Sequence, residues 1–427
     1  MNDESYIHLG ERDGWGGTAA FGLSAADWRR HVYIIGKTGT GKTTLLGNMM
    51  LQLIAQGHGV GFIDPHGDES ERLLDRIPPS RTGHVLYFNP SDIEFPVALN
   101  LLARVPHDER HLTASWIVNA CKSLWRDSWG PRMEYILYNA LVALLDCENV
   151  SLLGVNRMLT DPGYRAWVLR QVKDPFIRAY WDQEYAGYDE RFRREAIAPI
   201  QNKLGQFLLN PVIRNILGQV KCRVSFPFII DDRRIFIANL SKGMIGHDKA
   251  NLLGSLLVSQ FQAAAMRRAI LPEAERRDFF LFVDEFFNFT TDAFAPLLSE
   301  ARKYRLSLTL AHQYVDQLAP EIRQAVLGNV GSIIVFRVGY SDAEVLENEL
   351  DRAFSASILA ALARYEAIVR LPENGTEPAP FQARLFPPIQ DEYGRKEIII
   401  SKSRERFATP RTVVEAKLQR HVARKYR

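Results

Sequence analysis

Residues 32–56 read VYIIGKTGTGKTTLLGNMMLQLIAQ, and their order decides the fold: an apolar run of strand type, the octet GKTGTGKT at 36–43, then an apolar helix-forming stretch. Strand, glycine-rich loop and helix in this sequence make a nucleotide-binding P-loop, GxxxxGK[ST]. The backbone N–H groups of Gly39, Gly41 and Lys42 are expected to cradle a β-phosphate. Lys42 is expected to reach the β/γ oxygens, and the Thr43 hydroxyl to hold Mg²⁺. The expected binding set is Gly36, Lys37, Thr38, Gly39, Thr40, Gly41, Lys42, Thr43 and Thr44. The glycines are needed because the loop wraps closely around an anion, where no Cβ can intrude.

Beyond the loop, short apolar runs at 59–64 and 84–88 flank a crossover helix at 69–77, the pattern of a parallel sheet covered on both faces. From 107 to 218 the alternation gives way to helix after helix, punctuated by Gly130-Pro131, Asp161-Pro162-Gly163, Asp174-Pro175 and Asn210-Pro211, each a stop or restart signal. Strand signals resume at 226–230 and 234–239, and a long helix is expected at 249–268. Strands follow at 278–283, 305–311 and 331–338, with a helix at 294–304 between the first two. Helices at 342–349 and 355–363 and a strand at 365–371 complete the pattern. The predicted fold is α/β, a P-loop NTPase with a mostly parallel central sheet and an inserted all-alpha domain. Residues 1–106 would hold N-terminal strands and the first part of the nucleotide-binding domain, 107–218 the insert, 219–388 the second part, and 389–427 a basic tail.

The chain of 427 residues is 46% apolar, enough for at least one large core. Its net charge of +3 is unevenly placed: residues 395–427 carry eleven Lys/Arg against three Glu. That tail could neutralise phosphates, or could be a solvated C-terminal helix. Cys121, Cys147 and Cys222 are widely spaced and odd in number, which argues against a disulfide framework and fits a reducing compartment. No window approaches 18 consecutive apolar residues and the start MNDESYIHLG has no signal-peptide profile, so a cytoplasmic location is expected. Five of the seven tryptophans fall in the insert; they read as a small aromatic core, with a base-stacking surface as the alternative.

Asp284 and Glu285 end the apolar run FFLFV, where a P-loop sheet delivers a Walker B pair. Asp284 is expected to hold Mg²⁺ and Glu285 to orient and polarise the attacking water. The pair favours ATP over GTP hydrolysis, since a guanine-selecting Asn/Thr-Lys-x-Asp motif is missing. Gln313, just beyond the strand at 305–311, is positioned to sense a γ-phosphate, with the neighbouring His312 as the alternative. Asp64 and His66 face the same rim of the sheet, in a coupling role or a plain turn. Arg302 and Arg305, in SEARKYR, are candidates for an arginine supplied in trans, Arg302 ahead of Arg305.

The segments GKTGTGKTTLL, GFIDPHGD, HVLYFNPSD, RRIFIANLSKGMIG, LFVDEFFNF and LSEARKYRLSLTLAHQY, in this order around a helical insert, resemble the VirD4/TraG-like coupling ATPases of type IV secretion and conjugation, in the HerA/FtsK superfamily. The resemblance covers residues 6–385. It implies a RecA-like motor, ATP and Mg²⁺ as cofactors, a homo-oligomeric ring (usually a hexamer) that binds and drives DNA or nucleoprotein, and an all-alpha domain facing a relaxase or other cargo. It assigns Walker A roles to Lys42 and Thr43, Walker B roles to Asp284 and Glu285, and the sensor role to Gln313. Two departures stand out: such proteins usually begin with transmembrane helices, whereas here the P-loop comes after only 35 residues, and Phe287 stands where relatives commonly have glutamine. The expected function is an ATP-hydrolysing motor that translocates DNA or nucleoprotein in a conjugation-like system, either docking on a separate membrane partner or working as a DNA motor outside secretion. The alternatives are a HerA-like motor working with a nuclease in resection or phage defence, and an ATP-regulated, non-translocating scaffold.

Overall fold

The computed structural model describes residues 6–14, 17–291, 294–373, 376 and 378–424. The chain forms two compact units: residues 1–88, 226–241 and 261–402 make the first, and 89–225, 242–260 and 403–427 the second.

Among the described residues the first unit is built on eleven strands: β1 Tyr6–Gly14, β2 Gly17–Ser24, β3 Val32–Ile35, β4 Gly59–Asp64, β5 Val85–Phe88, β6 Ile235–Asn239, β7 Phe279–Asp284, β8 Leu306–His312, β9 Ser332–Val335, β10 Glu366–Arg370 and β11 Phe381–Leu385. They form one sheet in the order β2-β1-β11-β10-β9-β3-β8-β7-β4-β6-β5. From β5 to β9 every pair is parallel, whereas β10, β11, β1 and β2 extend the sheet by antiparallel pairing. The parallel strands are near-continuous apolar runs because both their faces are covered; every residue of β3 to β9 is buried. β1 lies in the antiparallel flank and alternates more clearly between exposed and buried positions.

Residues 226–230 were expected to be a strand and form a helix instead, Phe226–Asp231. Pro227 has no N–H for a sheet ladder, and the Phe226 ring packs edge-on against Phe261 at 5.1 Å. The run is too short for periodicity to separate strand from buried helix.

The second unit is helical. Its X-Pro signals act as starts: Asp161, Asp174 and Asn210 each accept a hydrogen bond from a first-turn N–H of the helices Pro162–Leu169, Pro175–Ala179 and Pro211–Leu217. A cap followed by proline at the first helical position satisfies one orphan donor and removes another. Trp181 is buried with Tyr185, ring centroids 4.7 Å apart, while Trp125 and Trp129 stack on each other at 6.4 Å and are half-buried.

Residues 389–427, set apart in the sequence by charge, contain the helices Lys396–Phe407 and Arg411–Ala423. Part of that charge is answered locally. Lys396 pairs with Glu71 at 3.1 Å, Arg404 with Asp92 at 2.7 Å, and Arg411 with Glu415 at 2.8 Å and Glu94 at 3.2 Å. Val414 and Leu418 are buried. Among the described residues, no helix is long and apolar enough to cross a membrane.

Candidate nucleotide-binding site

The loop from Gly36 to Gly41 leaves β3 and enters the helix Lys42–Ala55. Gly39 and Gly41 have φ of +79° and +127°, the region open to glycine at little steric cost. At Gly36 the limit is space, since a Cβ there would lie 2.5 Å from Phe336 Cβ. Lys42 is buried, and its ammonium donates to the carbonyls of Gly36 and, at 3.2 Å, Lys37. Burial lowers its pKa, opposed by the charges of Asp284 and Glu285. Thr40 Oγ donates to Lys37 O at 2.7 Å, bracing the loop.

Sheet order brings the acids to this loop. β8 lies between β3 and β7, so the carboxyl ends of β7 and β8 stand to one side of the loop. Asp284 is buried, and that burial, reinforced by the negative charges of Asp64 and Glu285 and opposed by Lys42, pushes its pKa up to about 7. A buried acid of this kind, beside a lysine and a glycine-lined loop, fits a site that takes a cation with its anion. Binding of the magnesium nucleotide should therefore weaken as pH falls from 8 to 6, because protonation removes the carboxylate. Calorimetric titrations across that range check it; the pH dependence should flatten in Asp284→Asn.

Glu285 is buried, with φ +46° and ψ +46°, a left-handed conformation uncommon for a residue other than glycine and a mark of local constraint. Gln313 explains the constraint in part. Its amide Nε2 donates to Glu285 Oε1 at 2.7 Å, and its Oε1 accepts from Thr38 Oγ of the loop at 3.1 Å. The expected base, the expected sensor and the P-loop are thus joined in one chain of hydrogen bonds. His312 is directed elsewhere: it is fully buried, its Nε2 lies 2.7 Å from the Tyr33 hydroxyl, and burial depresses its pKa to about 3, keeping it neutral. The Tyr33 partner carries no signal in the sequence, being one apolar-run aromatic among many.

Asp64 and His66 divide. Asp64 is buried and its two carboxylate oxygens accept from the N–H groups of His66 and Ser70, each at 2.9 Å. It holds a turn, and acts on the site through charge. His66 is exposed. Arg305 pairs with Glu273 at 3.4 Å and Asp278 at 3.8 Å. Arg302 is exposed in the turn Ala301–Tyr304 before β8, at the amino end of the strand whose carboxyl end leads to Gln313. Phe287 is half-buried in the turn Phe286–Phe289.

Glu69 is a buried acid that motif reading passed over. It sits on the helix Asp68–Arg76, so close to the P-loop helix that a Cβ on Gly47 would lie 2.4 Å from its Oε1. Burial pushes its pKa up to about 7, against the pull of Arg72 and Arg76. The folded state therefore holds an extra proton between the ordinary value of 4.5 and about 7, and this contribution to stability is lost as pH rises through that window. Glu69→Gln should stabilise the protein at pH 8 by about 1–2 kcal/mol and do little at pH 4.5. Thermal unfolding at the two pH values measures it.

Residues 18–211 match the family model described as the central domain of helicase HerA. Among solved structures, the bacterial conjugative coupling protein TrwB in an unbound form superposes with a TM-score of 0.65 at 16% identity, covering 88% of both chains. A TrwB complex with a non-hydrolysable ATP analogue gives 0.63 at 16% identity over 87% of both chains. VirB4 of Thermoanaerobacter pseudethanolicus gives 0.56 at 17% identity over 90% of this chain and 98% of its own. No curated protein matches the sequence. At such identities the structural likeness is one of fold. Residues 18–211 are thus similar to the HerA central domain, and the chain has the RecA-like P-loop fold seen in the conjugative coupling protein TrwB and in VirB4.

Proposed function

We propose that the chain hydrolyses ATP and couples hydrolysis to the movement of DNA or a nucleoprotein through a homo-oligomeric ring, as a hexamer, in a conjugation-like system. The observation that carries this is the chain Thr38–Gln313–Glu285, which ties the water-activating acid to the phosphate loop. Complexes of TrwB with ATP and GTP analogues and with ADP and Mg²⁺ support the reading that this chain takes a nucleotide with Mg²⁺. Thr43 and Asp284 would hold Mg²⁺, which when bound supplies positive charge to the phosphate oxygens. Lys42 binds the β/γ oxygens, Glu285 takes the proton of the attacking water, and Gln313 reports occupancy of the γ position. Arg302 of a neighbouring subunit supplies the remaining positive charge.

ATP turnover measured with and without duplex and single-stranded DNA tests the reading, together with a translocation assay. Stimulation by DNA is expected; a rate indifferent to every form of DNA overturns it. The match to the HerA central domain favours a second reading, a DNA motor acting with a nuclease, which stable co-purification with a nuclease in place of a relaxase or channel component would select. In the first reading the helical unit faces the cargo, and the protein works at the cytoplasmic side of a membrane complex.

The exposed Lys402, Lys417 and Arg420 of the C-terminal helices are proposed to add phosphate contacts. Replacing all three by alanine should weaken DNA binding and reduce the slope of log K against log salt by about 2 to 3, following roughly 0.7–0.9 per lost contact. An unchanged slope leaves DNA binding to the motor unit.

A further inference from the structure

Sheet order orients the nucleotide. The groups that address the γ-phosphate, Asp284, Glu285 and Gln313, follow β7 and β8, which lie on one side of β3. With the β-phosphate in the loop after β3, the α-phosphate, ribose and base lead away from that side, toward β9 and β10.

Tyr365 stands there, immediately before β10. Its φ of +66° is a conformation aromatic residues rarely adopt, and two main-chain hydrogen bonds hold it: its N–H donates to Thr40 O at 2.9 Å, and its carbonyl accepts from Leu385 N–H at 2.8 Å. The consequence is a ring laid on the phosphate loop, where a Cβ on Gly41 would meet Tyr365 Cδ1 at 2.9 Å. The Arg364 guanidinium lies over that ring, 4.8 Å from its centroid. Arg364 is exposed and Tyr365 only partly buried, so the pair is not a piece of core. A constrained backbone that presents an aromatic ring and a guanidinium plane at the flank of a binding loop calls for a planar ligand.

We propose that Arg364 and Tyr365 form the platform against which the purine base of the bound nucleotide stacks. The platform rests on the reading of the P-loop as a nucleoside-triphosphate site, and it adds the basis of base selection. Stacking uses the π-face that every base has and ignores the hydrogen-bonding edge that separates adenine from guanine. The site therefore binds ATP and GTP alike, and the preference for ATP expected from the sequence would arise in hydrolysis rather than in binding.

The test compares ATP, GTP and inorganic tripolyphosphate, which shares the phosphates and lacks the base, by calorimetry with the full chain carrying Glu285→Gln so that nucleotide persists. ATP and GTP should bind within a few-fold of each other. Adding Tyr365→Ala or Arg364→Ala should weaken both by about tenfold to a hundredfold and leave tripolyphosphate unchanged, while Tyr365→Phe should behave as the parent. Equal losses for tripolyphosphate overturn the proposal and assign Tyr365 to propping the loop; so does unchanged ATP binding in both alanine variants. Rejection of GTP by more than a hundredfold in the parent overturns base-indifferent stacking. A parent that binds none of the three overturns the P-loop reading itself, and the platform with it.

Discussion

Glu285→Gln is expected to leave ATP bound while turnover falls by about 10²-fold or more, the scale of losing a general base. Glutamine keeps the size of the side chain and an oxygen to accept from Gln313 Nε2, now 2.7 Å from Glu285 Oε1, so the chain of hydrogen bonds to Thr38 can persist. What disappears is the carboxylate proposed to take the proton from water. Lys42→Ala should behave differently, losing affinity as well as turnover, because the buried ammonium on the Gly36 and Lys37 carbonyls is the charge proposed to meet the phosphates. Binding of a fluorescent ATP analogue beside steady-state hydrolysis separates the two. A glutamine variant that hydrolyses ATP at the parental rate removes Glu285 from its role as base.

The second large effect concerns Arg302. It precedes β8 and Gln313 follows it, so the seven-residue strand, about 20 Å long at roughly 3.3 Å per residue, separates Arg302 from its own catalytic rim. That separation keeps its charge from its own catalytic rim, and a role in trans is the one proposed for it above. Arg302→Ala is expected to reduce turnover by about 10³-fold, the lower end of the range for a trans arginine, with nucleotide affinity nearly intact. Mixing Arg302→Ala with Glu285→Gln should restore activity, since the first variant retains a complete water-activating site and the second a complete arginine. Two variants that stay inactive when mixed exclude Arg302 from a trans role. Light scattering with a slowly hydrolysed ATP analogue and duplex DNA, run in parallel, reports whether subunits associate; persistent monomers in all conditions exclude the ring.

The phosphate loop and the acid pair were legible because each depends on contiguous residues. GKTGTGKT between an apolar strand and an apolar helix, and Asp284-Glu285 ending FFLFV, state their chemistry locally, and the strand–helix alternation states a parallel sheet. Even the helical insert announced its starts, since Asp-Pro and Asn-Pro encode caps within three residues. Tertiary structure decided what spacing along the chain does not contain. Thr38 and Gln313 are 275 positions apart, and they meet because crossover connections put β8 beside β3. The same sheet order turned His312 inward to Tyr33, set Arg302 at the far end of its strand, and laid Tyr365 on Gly41 through a backbone conformation with no residue-type signature. Residues 226–231 became a helix because Pro227 and the rings around Phe226 outweighed an apolar run that fits either element. Local pattern thus marked the candidate phosphate loop; the order of strands, a non-local property, determined which groups stand around it.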